Sequence, residues 1–328
     1  MKRKVIFLGS HELGIPLVEA LNNSDLVDIV GIVSQPDRPS GRGQHLKPTV
    51  ISEFARSHGI SLITPPILDE NAALWMQEKG CDLIFVMAYG HILKKNILDL
   101  PQFGIYNFHT SILPKYRGAS PIESAIACGE KVTGVTLMRM VEEMDAGDII
   151  DTVKVSIDAH ENCKDVSLKL AQVCPYLLGK NLPKICNNKA VGLKQDATKA
   201  TFTRKLFKED GYVDFSKPAI NIVSRSHALT PHIGTHVIFG DILLKIDDVW
   251  FEDGNFKNSD FGEIVRMDDG QIAVATAKGT LLIKKMQRPG GKMLPVRDFL
   301  NGFVLKVGDK FTSHSSIDMV FNAPYKRK

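Results

Sequence analysis

Long apolar runs are missing from this 328-residue sequence. None approaches the roughly 20 consecutive residues that a membrane-spanning helix requires, which excludes an ordinary helical membrane protein. The run Val5–Leu8 follows the basic residues Lys2, Arg3 and Lys4, as in the start of a signal peptide. It is too short for that role and no small-residue cleavage site follows, so we interpret it as a first β-strand.

Paired cysteines and nucleotide-binding motifs are scarce as well. The five cysteines are odd in number and lack the spacing of metal ligands, so we expect reduced thiols, a cytoplasmic protein and no metal. The glycine-containing turn Gly9–Gly14 has neither a Gly-Lys-Ser/Thr sequence nor a G-x-G-x-x-G pattern. It is a weak signal for a nucleotide, and a plain turn between a strand and a helix is the simpler interpretation.

The net charge of +4 is small, but the charges are segregated along the chain. Residues 180–208 contain eight Lys or Arg and one acid, and residues 284–297 contain five basic residues and no acid. Residues 241–269 contain nine acids and three basic residues. A basic track is typical of a protein that binds a polyanion, although a solvated linker that happens to be basic would give the same pattern.

Short apolar runs alternate with helical patterns in the first half of the sequence. The runs predict strands buried on both faces of a sheet, and the alternation predicts an α/β fold with a doubly wound, mostly parallel sheet. The predicted strands are 5–8, 29–33, 83–87, 105–108, 133–140 and 149–155, and the predicted helices are 15–22, 49–57, 71–78, one starting near Ser120-Pro121, and 166–178.

The pattern changes after about residue 205. Short predicted strands separated by glycine-containing turns indicate a small β-barrel, with an OB-like barrel among the candidates. These strands are 237–239, 242–246, 263–265, 272–276 and 281–286. We therefore expect an α/β domain over residues 1–180, a basic linker over 181–207 and an OB-like barrel over 208–328.

Asn107, His109 and Asp145 are candidates for an acyl-transfer site. Asn107 and His109 are two residues apart in a strand-like run, so their side chains should share one face. They precede a Pro- and Gly-containing loop, and ligands of α/β sheets bind at such strand ends. An amide and a protonated imidazole can stabilise an oxyanion, and a carboxylate can accept a proton directly or through a water. The alternative is a structural histidine beside unrelated polar residues.

The segment Ser34–Pro48 is a long basic insertion after the second predicted strand. It carries Arg38, Arg42, His45 and Lys47 against the single acid Asp37. One interpretation is an arm that becomes ordered on a nucleic acid. The other is a disordered surface loop.

Five motifs carry a resemblance to a known family. They are QPDRPSGRG, AYGHIL, NFHTSILPKYRGASPI, DAGD, and QRPGGK followed by DFLNG. On these motifs the sequence closely resembles methionyl-tRNA formyltransferases, a branch of the folate-dependent formyltransferases, along nearly its whole length. The resemblance implies a formyltransferase catalytic domain followed by an OB-like barrel that contacts tRNA.

The resemblance also implies an activity and roles for single residues. The reaction would transfer the formyl group of 10-formyltetrahydrofolate to the α-amino group of initiator methionyl-tRNA, giving N-formylmethionyl-tRNA for translation initiation. The protein would be a cytoplasmic monomer without a metal. The implied roles are oxyanion stabilisation for Asn107 and His109, proton transfer for Asp145, folate binding for Ser111, Ile112, Leu113, Pro114, Ala88, Tyr89 and Gly90, and tRNA binding for Arg38, Arg42 and Lys47.

The sequence differs from the pattern of that family at four places. Thr110 stands where Gly or Pro is common, Glu143 replaces a Gly, Ser10-His11 replaces Thr-Pro, and residues 230–233 replace a Pro- and Trp-rich motif. None of these changes removes a candidate catalytic group.

Two other hypotheses stay open from the sequence: formyl transfer to a small amine, such as an amino sugar nucleotide or a purine precursor, and a non-catalytic RNA-binding protein.

Overall fold

The computed structural model describes residues 2–40, 45–254, 259–268 and 270–325. Strands and helices alternate through the first half of the chain, as predicted. The strands are β1 (Arg3–Gly9), β2 (Val27–Val33), β3 (Arg38–Ser40), β4 (His45–Lys47), β5 (Leu62–Ile63), β6 (Leu83–Met87), β7 (Ile105–His109), β8 (Arg117–Gly118), β9 (Val132–Arg139) and β10 (Ile149–Ser156). The helices are α1 (Ile15–Asn22), α2 (Val50–Ser57), α3 (Glu70–Glu78), α4 (Lys95–Leu98), α5 (Pro121–Ala127) and α6 (Cys163–Cys186).

Seven of these strands form one mostly parallel sheet, in the order β10-β9-β7-β6-β1-β2-β5. Strand β9 runs antiparallel to both of its neighbours, β10 and β7, and the other pairs of adjacent strands in this order are parallel. Successive residues of β1 enter different cores: Val5 and Phe7 belong to one hydrophobic cluster, and Ile6 and Leu8 belong to another. The apolar run Val5–Leu8 of this strand is therefore buried on both faces, and the predicted doubly wound fold is confirmed.

Helix α6 is longer than the predicted helix over 166–178. It begins after Asn162, whose side chain accepts hydrogen bonds from the Lys164 and Asp165 N–H groups, and it contains Pro175 and Pro183. A proline inside a helix removes one backbone donor and usually bends or ends the helix. Here the helix continues to Cys186, so it enters the segment expected to be a linker. The domain limits at residues 180 and 207 stay a prediction.

The second half of the chain forms an antiparallel barrel. Its strands are β12 (Thr235–Phe239), β13 (Ile242–Glu252), β14 (Ile264–Asp268), β15 (Gln271–Ala275), β16 (Thr280–Gln287) and β17 (Leu294–Pro295). They follow the order β12-β13-β16-β15-β14, and β17 pairs with β16. The Thr312 N–H donates to the Ile238 carbonyl at 2.9 Å, and the Ile264 N–H donates to the Asp309 carbonyl at 2.8 Å. The segment 309–312 thus bonds to both edge strands and closes the sheet. The other elements of this half are β11 (Phe202–Thr203), α7 (Ala219–Leu229), α8 (Val296–Leu300) and β18 (Val320–Phe321).

The two halves are joined by a small sheet and by packed side chains. Strand β11 pairs in parallel with β8 and antiparallel with β18. Helix α7, which was not predicted from the sequence, packs on α5. The His160 ring stacks on the Trp250 ring with their centroids 4.2 Å apart. None of the described helices combines the length and apolar character that crossing a membrane requires.

Candidate active site

Strand β7 brings two polar side chains to one face of the central sheet. Tyr106 and Phe108 point into the larger hydrophobic core. Because side chains alternate along a strand, Asn107 and His109 lie on the opposite face. Asn107 is half-buried, and within the described chain no hydrogen bond engages its amide. That amide is therefore available to a ligand at the C-terminal end of β7.

The hydrogen bond between His109 and Tyr116 fixes which ring nitrogen of His109 faces the site. His109 is 6% exposed, and its Nε2 lies 2.9 Å from the Tyr116 carbonyl oxygen. A carbonyl oxygen only accepts, so Nε2 carries a hydrogen. The other nitrogen, Nδ1, lies 3.6 Å from Asp145 Oδ2. His109 can donate a second N–H, from Nδ1, only as an imidazolium.

Asp145 is held in a strained backbone conformation. Its φ is +49°, in the left-handed region, which costs of order 1–3 kcal/mol for a residue other than glycine. The Gly118 N–H donates to Asp145 Oδ2 at 2.8 Å. At Gly147 an added Cβ would lie 1.6 Å from the Arg139 carbonyl oxygen, so the following turn accepts only glycine.

Gln195 supports the Asp145 loop and was not identified from the sequence. Its Nε2 donates to the carbonyl oxygens of Asp145 at 2.8 Å and of Gly147 at 2.7 Å. Its Oε1 accepts from Arg117 Nε at 3.2 Å and Nη2 at 2.9 Å. Arg117 Nη1 also lies 3.5 Å from Glu143 Oε1, so the carboxylate at this unusual position pairs with a buried guanidinium.

A cavity of about 870 Å³ opens over these groups. Its wall combines the end of β7 with the β6–α4 loop, the first turn of α5, helix α6 and one residue from beyond the linker. The structure thus brings Asn107, His109 and Asp145 together with the predicted pocket residues Ala88, Tyr89 and Gly90. Other lining residues include Arg38, Lys47, Thr110, Pro121, Glu123, Met144, Cys163 and His232.

Residues Ser111–Pro114, predicted to contact folate, do not line this cavity. The Ser111 side chain is fully buried, and its hydroxyl donates to the Lys115 carbonyl at 2.7 Å. The Leu113 N–H donates to Thr136 Oγ1 at 3.2 Å. The polar groups of this turn therefore bond within the protein, and a folate contact here stays a prediction.

The basic insertion forms a short hairpin next to the cavity. Strands β3 and β4 pair antiparallel, with Arg38 opposite Lys47, and both side chains are exposed. Gln35 Nε2 donates to the Tyr89 carbonyl at 2.7 Å and ties the base of the hairpin to the cavity wall. The third predicted tRNA contact, Arg42, lies outside the described residues.

The predicted basic track is partly neutralised. Lys180 Nζ lies 2.7 Å from Asp151 Oδ2, and Lys199 Nζ lies 3.1 Å from Asp196 Oδ2. Arg204 is 4% exposed and pairs with Asp210. These three cations have protein partners, so the linker offers a polyanion less free charge than its composition indicates.

Several other titratable groups also line the cavity. Burial raises the pKa of the Glu123 carboxyl above its ordinary value and lowers the pKa of His11. The ring centroids of His11 and His232 lie 6.4 Å apart. Burial also raises the pKa of Tyr89 to about 12, and its hydroxyl has no hydrogen-bond partner in the described chain. In the part of the chain that the structure describes, no group of three or more His, Cys, Asp or Glu is placed to hold a metal ion.

Comparison with known proteins gives consistent results for both halves. The formyl transferase family profile matches residues 2–180, and the profile of the formyl transferase C-terminal domain matches residues 205–304. The methionyl-tRNA formyltransferase of Caldicellulosiruptor saccharolyticus is 34% identical over 308 residues, covering 93% of this chain and 98% of that protein. The corresponding protein of Borreliella burgdorferi strain ZS7 is 36% identical over 313 residues, covering 94% and 99%.

A solved structure shows the same fold at lower sequence identity. An N-formyltransferase from Helicobacter canadensis, in complex with folinic acid and dTDP-3-aminofucose, superposes with a TM-score of 0.66 at 19% identity. The match covers 88% of this chain and 100% of that one. At this identity the likeness concerns the fold alone.

Proposed function

The chain belongs to the methionyl-tRNA formyltransferase family, and from that premise we infer that it transfers the formyl group of 10-formyltetrahydrofolate to the α-amino group of initiator methionyl-tRNA. The family assignment made from the sequence motifs is confirmed. The observation that carries the mechanism is the grouping of Asn107, His109 and Asp145 on one cavity wall. An amide donor, an imidazole and a carboxylate are the groups that acyl transfer to an amine requires.

The proposed reaction passes through a tetrahedral centre at the formyl carbon. The α-amino nitrogen forms a bond to this carbon, and the carbonyl oxygen becomes an oxyanion. The Asn107 amide and the Nδ1–H of a protonated His109 stabilise that oxyanion. The attacking amine loses a proton to Asp145, directly or through a water, and the bond from the formyl carbon to N10 of the folate breaks as that nitrogen takes up a proton.

The two substrates are assigned to different parts of the cavity. We assign the folate to the wall formed by Ala88, Tyr89 and Gly90, which lies in the same cavity as the catalytic groups. The tRNA would approach over the hairpin, where the exposed side chains of Arg38 and Lys47 line the cavity and offer charge to phosphates. We also propose that the C-terminal barrel contacts the tRNA and that the protein is a cytoplasmic monomer.

Replacing Asn107 by Ala tests the site. Loss of one oxyanion donor typically lowers turnover about 10²–10³-fold, while tRNA binding should be retained because the change removes no charge. The matched control is Asn71→Ala, an exposed asparagine of α3, which should turn over normally. Near-normal turnover by Asn107→Ala would contradict the assignment.

The substrate is tested by incubation with 10-formyltetrahydrofolate and charged initiator tRNA, with elongator methionyl-tRNA as the control. Formylation of the initiator alone supports the proposal. Formylation of a small amine, such as an amino sugar nucleotide, in place of both tRNAs would favour the second hypothesis. Failure to bind any reduced folate would favour a non-catalytic RNA-binding protein.

A further inference from the structure

Every hydrogen-bonding group of the Gln195 side chain amide is used. Its two N–H hydrogens meet the carbonyl oxygens of Asp145 and Gly147, at 2.8 and 2.7 Å. Its oxygen accepts two bonds from the Arg117 guanidinium. An amide with all of its donors and acceptors satisfied in this way has one allowed orientation. The Gln195 side chain therefore has a fixed orientation, and it holds the loop from Asp145 to Gly147 in position.

The loop that Gln195 holds is the one that carries Asp145. A residue other than glycine keeps a left-handed conformation only when its surroundings enforce it. Three hydrogen bonds do so here, since Gly118 holds the Asp145 carboxylate at 2.8 Å while Gln195 holds the backbone on either side of Ala146. Without the Gln195 bonds the backbone could relax, and Oδ2 would leave its position 3.6 Å from His109 Nδ1.

Gln195 belongs to a segment that is anchored along its length to the catalytic half. The N–H and C=O groups of Leu193 exchange hydrogen bonds with Ile149 at 2.7 and 2.8 Å. Further along, the Thr201 carbonyl accepts from the Arg117 N–H at 2.8 Å. The segment expected to be a linker is thus part of the scaffold around the site.

We propose that Gln195 is a positioning residue that sets the Asp145 carboxylate against His109 for the transfer reaction. Gln195 is absent from the cavity wall, so it acts through Asp145 and not through a substrate. This proposal rests on the function inferred above, because it assumes that Asp145 takes part in the reaction.

The test begins with Gln195→Glu and Gln195→Ala. Gln195→Glu keeps an acceptor for the buried Arg117 but replaces the two N–H donors with an oxygen that repels the loop carbonyls. A displacement of about 1 Å at a reacting group can lower turnover about 10²-fold, so we expect kcat to fall about 10–100-fold in both variants. Both KM values should stay within about threefold, because uniform substrate binding is unchanged. Gln77→Ala, an exposed glutamine of α3, is the matched control.

A double-mutant cycle with Asp145→Asn separates positioning from a general structural role. If Gln195 acts through Asp145, then Gln195→Glu lowers single-turnover activity strongly in the native background and little in the Asp145→Asn background. Equal losses in both backgrounds would overturn the proposal, and so would a folded Gln195→Glu enzyme with kcat within about twofold of wild type. If Asp145→Asn itself turned over normally, the failure would lie in the proposed function and not in the role of Gln195.

Discussion

Replacing Asp210 by Asn should destabilise the protein by about 3–5 kcal/mol, the usual cost of removing one partner from a buried ion pair. Asp210 is 4% exposed, and it accepts from Arg204 Nη1 at 2.8 Å, Arg225 Nη2 at 2.9 Å and the Phe207 N–H at 2.8 Å. The variant would leave two guanidinium groups, of which Arg204 is almost fully buried, without their anion. The loss should therefore reach the upper part of that range.

The pH dependence of the free energy of unfolding provides a second, independent test of this prediction. Burial alone would raise the pKa of Asp210, but hydrogen bonds from Arg204 and Phe207 and the charges of both arginines lower it below its ordinary value of 3.8. A carboxylate with a lowered pKa stabilises the fold above the pKa of the unfolded chain, about 3.9, and this stabilisation is lost as the pH falls through the folded value. The difference between wild type and Asp210→Asn should be full at neutral pH and should shrink below about pH 4.

Urea unfolding followed by circular dichroism at pH 7 and at pH 3 measures this difference. The control is Asp260→Asn, whose side chain is 76% exposed and pairs with Lys310 at 2.9 Å. An exposed pair of this kind is worth less than about 1 kcal/mol. The reasoning is refuted if Asp210→Asn costs no more than the control at pH 7, or if its full deficit persists at pH 3.

Two further predictions concern the walls of the cavity. In the double variant Arg38→Ala/Lys47→Ala, the magnitude of the slope of log(kcat/KM) for tRNA against log salt should fall by about 0.7 for each phosphate that is no longer neutralised. The KM for folate should be unchanged. An unaltered slope would show that the hairpin does not bind phosphates. Glu123→Gln should raise the melting temperature relative to wild type, by an amount that grows with pH above the ordinary value of 4.5, because a group with a raised pKa opposes folding only when it is ionised. Melting curves at pH 5 and pH 8 with an equal difference at both would contradict this prediction.

The fold could be predicted wherever a local pattern decides it. The run Val5–Leu8 became the centre of β1 because each of its side chains is fully buried, and apolar runs of this kind suit only a strand covered on both faces. The shared face of Asn107 and His109 followed from strand alternation alone. Those two inferences needed no knowledge of distant contacts.

Elements that depend on distant contacts could not be predicted in this way. Gln195 lies in a polar segment, and its role arises from bonds to a loop about 50 residues earlier in the chain. The basic insertion likewise forms a hairpin because β3 pairs with β4, which places Arg38 opposite Lys47. The motif around Ser111 was recognised, but the direction of the Ser111 side chain depends on a turn in which the Ser111 hydroxyl donates to the Lys115 carbonyl.

The small sheet that joins the two halves also determines how the barrel is connected. Thr203 at the end of β11 lies opposite Val320 at the start of β18. The chain leaves the catalytic half along one strand and returns along its antiparallel neighbour, so the barrel is topologically an insertion into a hairpin and not an appended domain. Truncating the chain before residue 320 would remove the edge strand β18 from β11, whereas replacing everything from Arg204 to Met319 with a tight turn would leave all three strands of the sheet, β18, β11 and β8, in place.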